Sequence, residues 1–268
     1  MEEKSLIGLD DKYIKILNYC SFFSQNDNDF NRVKKELSIY PTFLFEGLPG
    51  TGKTTFAHDI YNHLKKDHNI DWYEMKIETL LSYEFGKSSN NLLNFFENIA
   101  IETKEHQSTA FILIDELDSF TVNRYREDCS AIKRVLITFN KLIDQIYTEN
   151  FFEKEPIIIG TSNIKDDIDT SILRRFYFHE NFNIKISEEN LQELINRLKL
   201  MDHIFETINI SKLKKICVQN ELTFGEIKKI IAEKYLESKI NGLNRLDDFE
   251  EKEIYSLKKR SDIQKRIL

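Results

Sequence analysis

Along the chain, short apolar runs alternate with longer stretches in which apolar positions recur every three or four residues. The runs TFLFE (42–46), WYEMKI (72–77), AFILI (110–114) and PIIIGTS (156–162) predict buried strands. Between them, residues 53–66, 89–104 and 130–148 carry helical patterns. This rhythm predicts βαβ units, hence an α/β fold whose parallel sheet is covered by helices on both faces. Near-continuous apolar strands fit that double burial. After about residue 185 the rhythm changes. SEENLQELINRLKL, SKLKKICVQN and TFGEIKKIIAEKYLESKI are helix-like with no strand between them. The expected organisation is an α/β domain over residues 1–185 and a small all-helical domain over 186–268, ending in the basic stretch KKRSDIQKRIL.

Composition narrows the function classes. The 268 residues are 41% hydrophobic and 31% charged, with a formal net charge of −7. That supports a real core, and the acidic balance argues against non-specific nucleic-acid binding. The longest apolar runs are too short to span a bilayer. MEEKSLIGLDDK lacks the apolar segment of a secretory signal. Cys20, Cys129 and Cys217 are far apart, with no CxxC spacing, so neither a zinc site nor a disulfide framework is indicated. A cytoplasmic location is expected.

The chemistry enters at GLPGTGKT, residues 47–54, which matches the GxxxxGK[ST] phosphate loop in full and lies between a strand and a helix. The glycines let backbone N–H groups turn inward and cradle phosphate oxygens, which makes Leu48, Pro49, Gly50, Thr51, Gly52, Lys53, Thr54 and Thr55 the expected nucleotide-binding residues. A helix N-terminus adds partial positive charge. Lys53 can reach the outer phosphates of ATP, and the Thr54 hydroxyl can bind Mg2+. A hydrolase needs a second element, and FILIDELDSF supplies it. Asp115 and Glu116 end a buried strand, where open α/β sheets bind ligands. Asp115 is suited to hold Mg2+ through water, and Glu116 to orient and polarise the attacking water.

These motifs resemble those of AAA+ ATPases, and more narrowly the AAA protein-remodelling group, over nearly the whole length. LIGLDDKYIKIL resembles the opening segment of that family, which implies that the backbone of Ile7 and Gly8 lies near adenine. IIIGTSNIKDDIDTSILRRF resembles the sensor-1 strand and the segment that meets the next subunit. Asn163 is thereby implied as sensor 1, and Arg174 and Arg175 as arginine fingers acting on ATP held by a neighbour. LTFGEIKKII resembles the start of the lid helix, which places Gly225 near the nucleotide. KIETLLSYEFGKSSNNLLNFFENI resembles the second strand, substrate loop and following helix. Tyr83, Phe85 and Gly86 then form the substrate loop, although Glu84 stands where the family's main aromatic usually does.

The resemblance implies an ATP-driven machine using Mg2+, assembled as a homo-oligomer, with a hexamer favoured, that remodels, unfolds or disassembles a protein. Few residues precede the expected core, so a substrate is expected to reach it through a separate adaptor or the chain's own tail. A separately encoded peptidase or effector fits the same scheme. Two other classes stay open: a nucleic-acid-associated AAA+ ATPase such as a loader or transposition regulator, and a slow nucleotide-dependent interaction switch.

Overall fold

The computed structural model describes residues 6–25, 28–80, 87–119, 129–149, 151–163, 168–246 and 249. In chain order the elements are α1 (Asp10–Phe23), α2 (Asn28–Leu37), β1 (Thr42–Glu46), α3 (Lys53–Leu64), β2 (Ile70–Lys76), α4 (Ile77–Leu80), α5 (Lys87–His106) and β3 (Thr109–Asp115). There follow α6 (Cys129–Thr148), β4 (Ile157–Ser162), α7 (Thr170–Leu173) and β5 (Phe178–Asn181). The described elements after β5 are helical: α8 (Glu188–Lys199), a 3-10 turn (His203–Thr207), α9 (Ile210–Gln219) and α10 (Phe224–Ile240). The chain divides into two compact units. One comprises Asp10–Leu48 and Lys53–Phe182, the other Met1–Leu9, Pro49–Gly52 and Asn183–Leu268.

The first unit is built on a five-stranded sheet in the order β2-β3-β4-β1-β5, with every pairing parallel. The α/β class expected from the strand–helix rhythm is therefore the observed one. Strands β1 and β4 are buried at every residue, which explains their unbroken apolar runs. Alternate side chains point to opposite faces. Leu44, Ile112 and Ile158 join Leu92 and Phe96 of α5 and Phe139 and Ile143 of α6 in one core. On the other face Phe45 meets Phe56 of α3 edge-on at 5.5 Å and Phe182 at 4.8 Å. Tyr13 of α1 reaches the same Phe56 at 5.7 Å. Full burial of such a side chain contributes about 1.5–3 kcal/mol. Trp72 of β2 stacks with the His58 ring of α3 at 4.1 Å and with the Phe111 ring of β3 at 5.5 Å.

Two differences from the sequence pattern have simple causes. Strand β2 begins at Ile70, two residues before the apolar run suggests, because its pairing with β3 starts opposite Thr109. Strand β5 reads FHEN and is only partly buried, so it carries no apolar run to announce it.

The second unit packs α8, α9 and α10 around Leu191, Leu194, Ile195, Ile216, Ile227 and Ile231, with Ile7 in the same core. Its helices start on side-chain caps. Ser187 and Asn190 cap α8 reciprocally, and Thr223 and Glu226 do the same for α10. Each such cap is worth about 1 kcal/mol. None of the described helices is long and apolar enough to cross a membrane.

Candidate active site

Strands β1, β4 and β3 are neighbours in the sheet and run parallel, so their C-terminal ends share one edge, and each feeds a polar segment. The glycine-rich loop follows β1. Gly50 and Gly52 have φ of +79° and +89°, a left-handed backbone that favours glycine. The N–H of Gly47 donates to the carbonyl of Ser162 at 3.1 Å, tying the start of the loop to β4. Lys53 opens α3 and is buried. Its Nζ donates to the carbonyls of Gly47 (2.6 Å) and Leu48 (3.1 Å) and to Oδ1 of Asn163 (3.0 Å). Burial lowers its ammonium to about 8, while Asp118, Asp115 and Glu116 pull the other way.

The acidic turn follows β3. Oδ1 of Asp115 accepts from the hydroxyl of Thr54 at 3.3 Å and from the hydroxyl of Thr161 on β4. The Thr161 hydroxyl in turn accepts the N–H of Glu116 at 3.1 Å. Glu116 is exposed and has φ of +58°. An L-residue pays about 1–2 kcal/mol for that conformation. Buried Asp118 accepts the N–H of Asn163 at 3.2 Å through Oδ1. Asn163 is thus held at its backbone by Asp118 and at its amide oxygen by Lys53. The Thr54 hydroxyl and the Asp115 carboxylate form an oxygen-only donor set, which fits a hard cation such as Mg2+.

Lys53, Thr54, Asp115, Glu116 and Asn163 are therefore brought together within one unit. Thr161 and Asp118, which the motifs did not single out, join them. Thr55 is exposed on α3. The loop tip from Pro49 to Gly52 belongs to the second unit, with Ile7, Gly8 and Gly225. There the N–H of Gly225 donates to the carbonyl of Gly50 at 3.0 Å. Ile7 is buried among the helices, and Gly8 has φ of +73° beside Asn190. Leu48 is exposed and Thr51 half-buried.

The two arginines are not equivalent. Arg175 grips Asp144 of α6 with Nε at 3.1 Å and Nη2 at 2.8 Å, and donates from Nη1 to the carbonyl of Ser171 at 2.8 Å. Arg174 caps the C-terminus of α7 and is exposed. Tyr83, Phe85 and Gly86 lie outside the described residues.

Comparison with known proteins gives several relatives. The peroxisomal ATPase pex6 of Schizosaccharomyces pombe is 30% identical over 181 residues, covering 66% of this chain and 18% of that protein. The proteasome-activating nucleotidase of Methanopyrus kandleri is 26% identical over 175 residues, covering 65% and 38%. The outer mitochondrial transmembrane helix translocase of Danio rerio is 28% identical over 177 residues, covering 64% and 44%. This chain spans under half the length of each. A chain in the solved structure of the E. coli MS115-1 HORMA:CdnC:Trip13 complex shares the fold, with a TM-score of 0.68 at 16% identity over 87% of this chain and 83% of that one. The model of the ATPase family associated with various cellular activities matches residues 43–184, which carry the phosphate loop, the acidic turn and the amide beside it. Because that match spans more than half of the chain, the protein belongs to the AAA family of ATPases.

Proposed function

We propose that the chain is the ATP-hydrolysing module of a ring that remodels a protein partner. The observation that carries this reading is the convergence of Lys53, Asp115 and Asn163 from the ends of three adjacent parallel strands, with Glu116 beside Asp115. On this reading Lys53 and the loop backbone hold the phosphates of ATP, with Ile7, Gly8 and Gly225 toward the nucleoside. Thr54 and Asp115 would hold Mg2+, Asp115 through water, and the ion would supply positive charge against the phosphates. Glu116 accepts a hydrogen bond from the attacking water and polarises it. Asn163 orients that water with one hydrogen bond given and one received. Arg174 reaches the ATP of the next subunit, where a permanently charged, planar group suits developing phosphate charge. Arg175, clamped to Asp144, steadies the segment that presents it.

Residues 1–185 then serve as the ATPase core and 186–268 as its lid, in a homo-oligomer, a hexamer by preference, working in the cytoplasm. Relatives named for activating proteasomes and for translocating transmembrane helices favour a protein as the partner. Tyr83, Phe85 and Gly86 are the residues assigned to grip it. The decisive experiment pairs two variants. Lys53→Ala is expected to abolish ATP binding in calorimetry. Glu116→Gln is expected to bind ATP yet release phosphate about a hundredfold more slowly, and to retain partner protein. Near-normal turnover by Glu116→Gln would remove the catalytic assignment.

A further inference from the structure

Glu116, proposed above to orient the attacking water, has a left-handed backbone conformation that is uncommon for a residue with a Cβ. Within the turn the N–H of Ser119 donates to the Glu116 carbonyl at 2.9 Å, and the other peptide groups around it are held from outside. Strand β4 does this at one residue. Thr161 is buried as the penultimate residue of β4, a position where valine would satisfy the burial pattern and a hydroxyl needs hydrogen bonds to offset its desolvation. Its single proton goes to Oδ1 of Asp115, and a lone pair receives the N–H of Glu116 at 3.1 Å. Its carbonyl receives the N–H of Leu117 at 2.9 Å. The neighbouring Gly160 makes room for this contact. A Cβ there would stand 2.4 Å from Cδ1 of Leu117 and 2.7 Å from Cζ of Phe176. Three consecutive residues of the acidic turn are thereby fastened to β4, two residues before Asn163.

We propose that Thr161 is a positioning residue for ATP hydrolysis. Its hydroxyl sets the direction of the Glu116 backbone, and hence of its carboxylate, and fixes the carboxylate of Asp115. The inference rests on the assignment of Glu116 made above. Thr161→Val keeps the shape and removes the hydroxyl, whereas Thr161→Ser keeps the hydroxyl and removes a methyl group. In the full chain, Thr161→Val is expected to lower kcat by about tenfold to a hundredfold, the scale of a small misplacement of a catalytic group. The affinity for ADP measured without Mg2+ should stay within about threefold, because Lys53 and the loop are unchanged. Thr161→Ser is expected to restore kcat to within about threefold of the parent. Thr161→Ala, which also lacks the hydroxyl, gives the same comparison should the valine variant not fold. Parental kcat in the variants lacking the hydroxyl, or a serine variant as slow as they are, overturns the proposal. Glu116→Gln measured alongside separates the two claims. If it is slow while Thr161→Val is normal, only the role of Thr161 falls. If it turns over at the parental rate, the assignment of Glu116 falls and the role of Thr161 with it.

Discussion

Gly225 offers a substitution in which two known effects oppose each other. It lies in the first turn of α10, where alanine in open surroundings would stabilise the helix by about 1 kcal/mol. Here the surroundings are backbone. A Cβ at Gly225 would sit 2.8 Å from the carbonyl oxygen and 2.9 Å from the Cα of Gly50. An ordinary carbon–oxygen contact is about half an ångström longer, so the loop tip must yield or the helix start must move. Overpacking of this kind costs about 1–3 kcal/mol. The gain from propensity does not cover that cost, and relief comes most directly by displacing Gly50, whose carbonyl also accepts the N–H of Gly225. Gly50 is part of the phosphate loop, so Gly225→Ala is expected to weaken nucleotide binding by about tenfold, corresponding to about 1.4 kcal/mol. Calorimetric titration with ADP reads the affinity and thermal unfolding reads the stability. The expected pair is a weaker Kd with no rise in Tm. A variant stabilised by about 1 kcal/mol with unchanged ADP affinity would refute the reasoning, since it would mean that the loop accepts the methyl group without moving.

Arg174→Ala is expected to leave Tm unchanged and reduce turnover about a thousandfold, whereas Arg175→Ala also breaks the clamp on Asp144 and should lower Tm slightly. Mixing the Arg174 variant with Lys53→Ala should restore part of the ATPase rate in mixed assemblies, and no recovery there argues against action between subunits. Phe85→Ala should keep basal ATPase but uncouple it from work on the partner, and equal remodelling by variant and parent would remove the gripping role. His106 holds Asp71 at 2.8 Å, and Ser108 donates to the same carboxylate oxygen at 2.6 Å. The bond to Asp71 raises the histidine pKa. Burial pushes Asp71 up, but the bonds from Ser108 and His106 outweigh it and leave its pKa lowered. The histidine contribution is present below its ordinary value and lost as pH rises through the raised one. The aspartate contribution is present above its ordinary value and lost as pH falls through the lowered one. The Tm deficit of His106→Gln should therefore be larger near about pH 5.5 than above about pH 8, and a deficit that does not change with pH contradicts the pairing.

Periodicity was enough for β1, β3 and β4, because strands buried on both faces write continuous apolar runs. The later helices were legible in the same way, and the structure adds that Ser187 and Thr223, at the head of those stretches, cap them. The phosphate loop and the acidic pair could be found because both are contiguous in sequence. Thr161 and Asp118 could not. Their partners, Glu116 and Asn163, lie 45 residues away in each case, and they meet only because β4 inserts between β3 and β1. The available hint was chemical: a hydroxyl inside an apolar strand, and a second acid that the motif itself does not require. Arg174 and Arg175 look alike in sequence, and only the position of Asp144 on α6 separates them.

The stacking of Trp72 has an optical consequence. It is the single tryptophan of the chain, so all indole emission comes from one place. There the indole touches His58 of the helix that begins with Lys53 and Phe111 of the strand that ends with Asp115. A shift of α3 when phosphate is gripped changes the overlap of the imidazole and indole rings, and the emission with it. The unlabelled protein thus carries its own gauge of the helix that opens on Lys53, and His58→Ala, which removes the stacked ring, would change its emission.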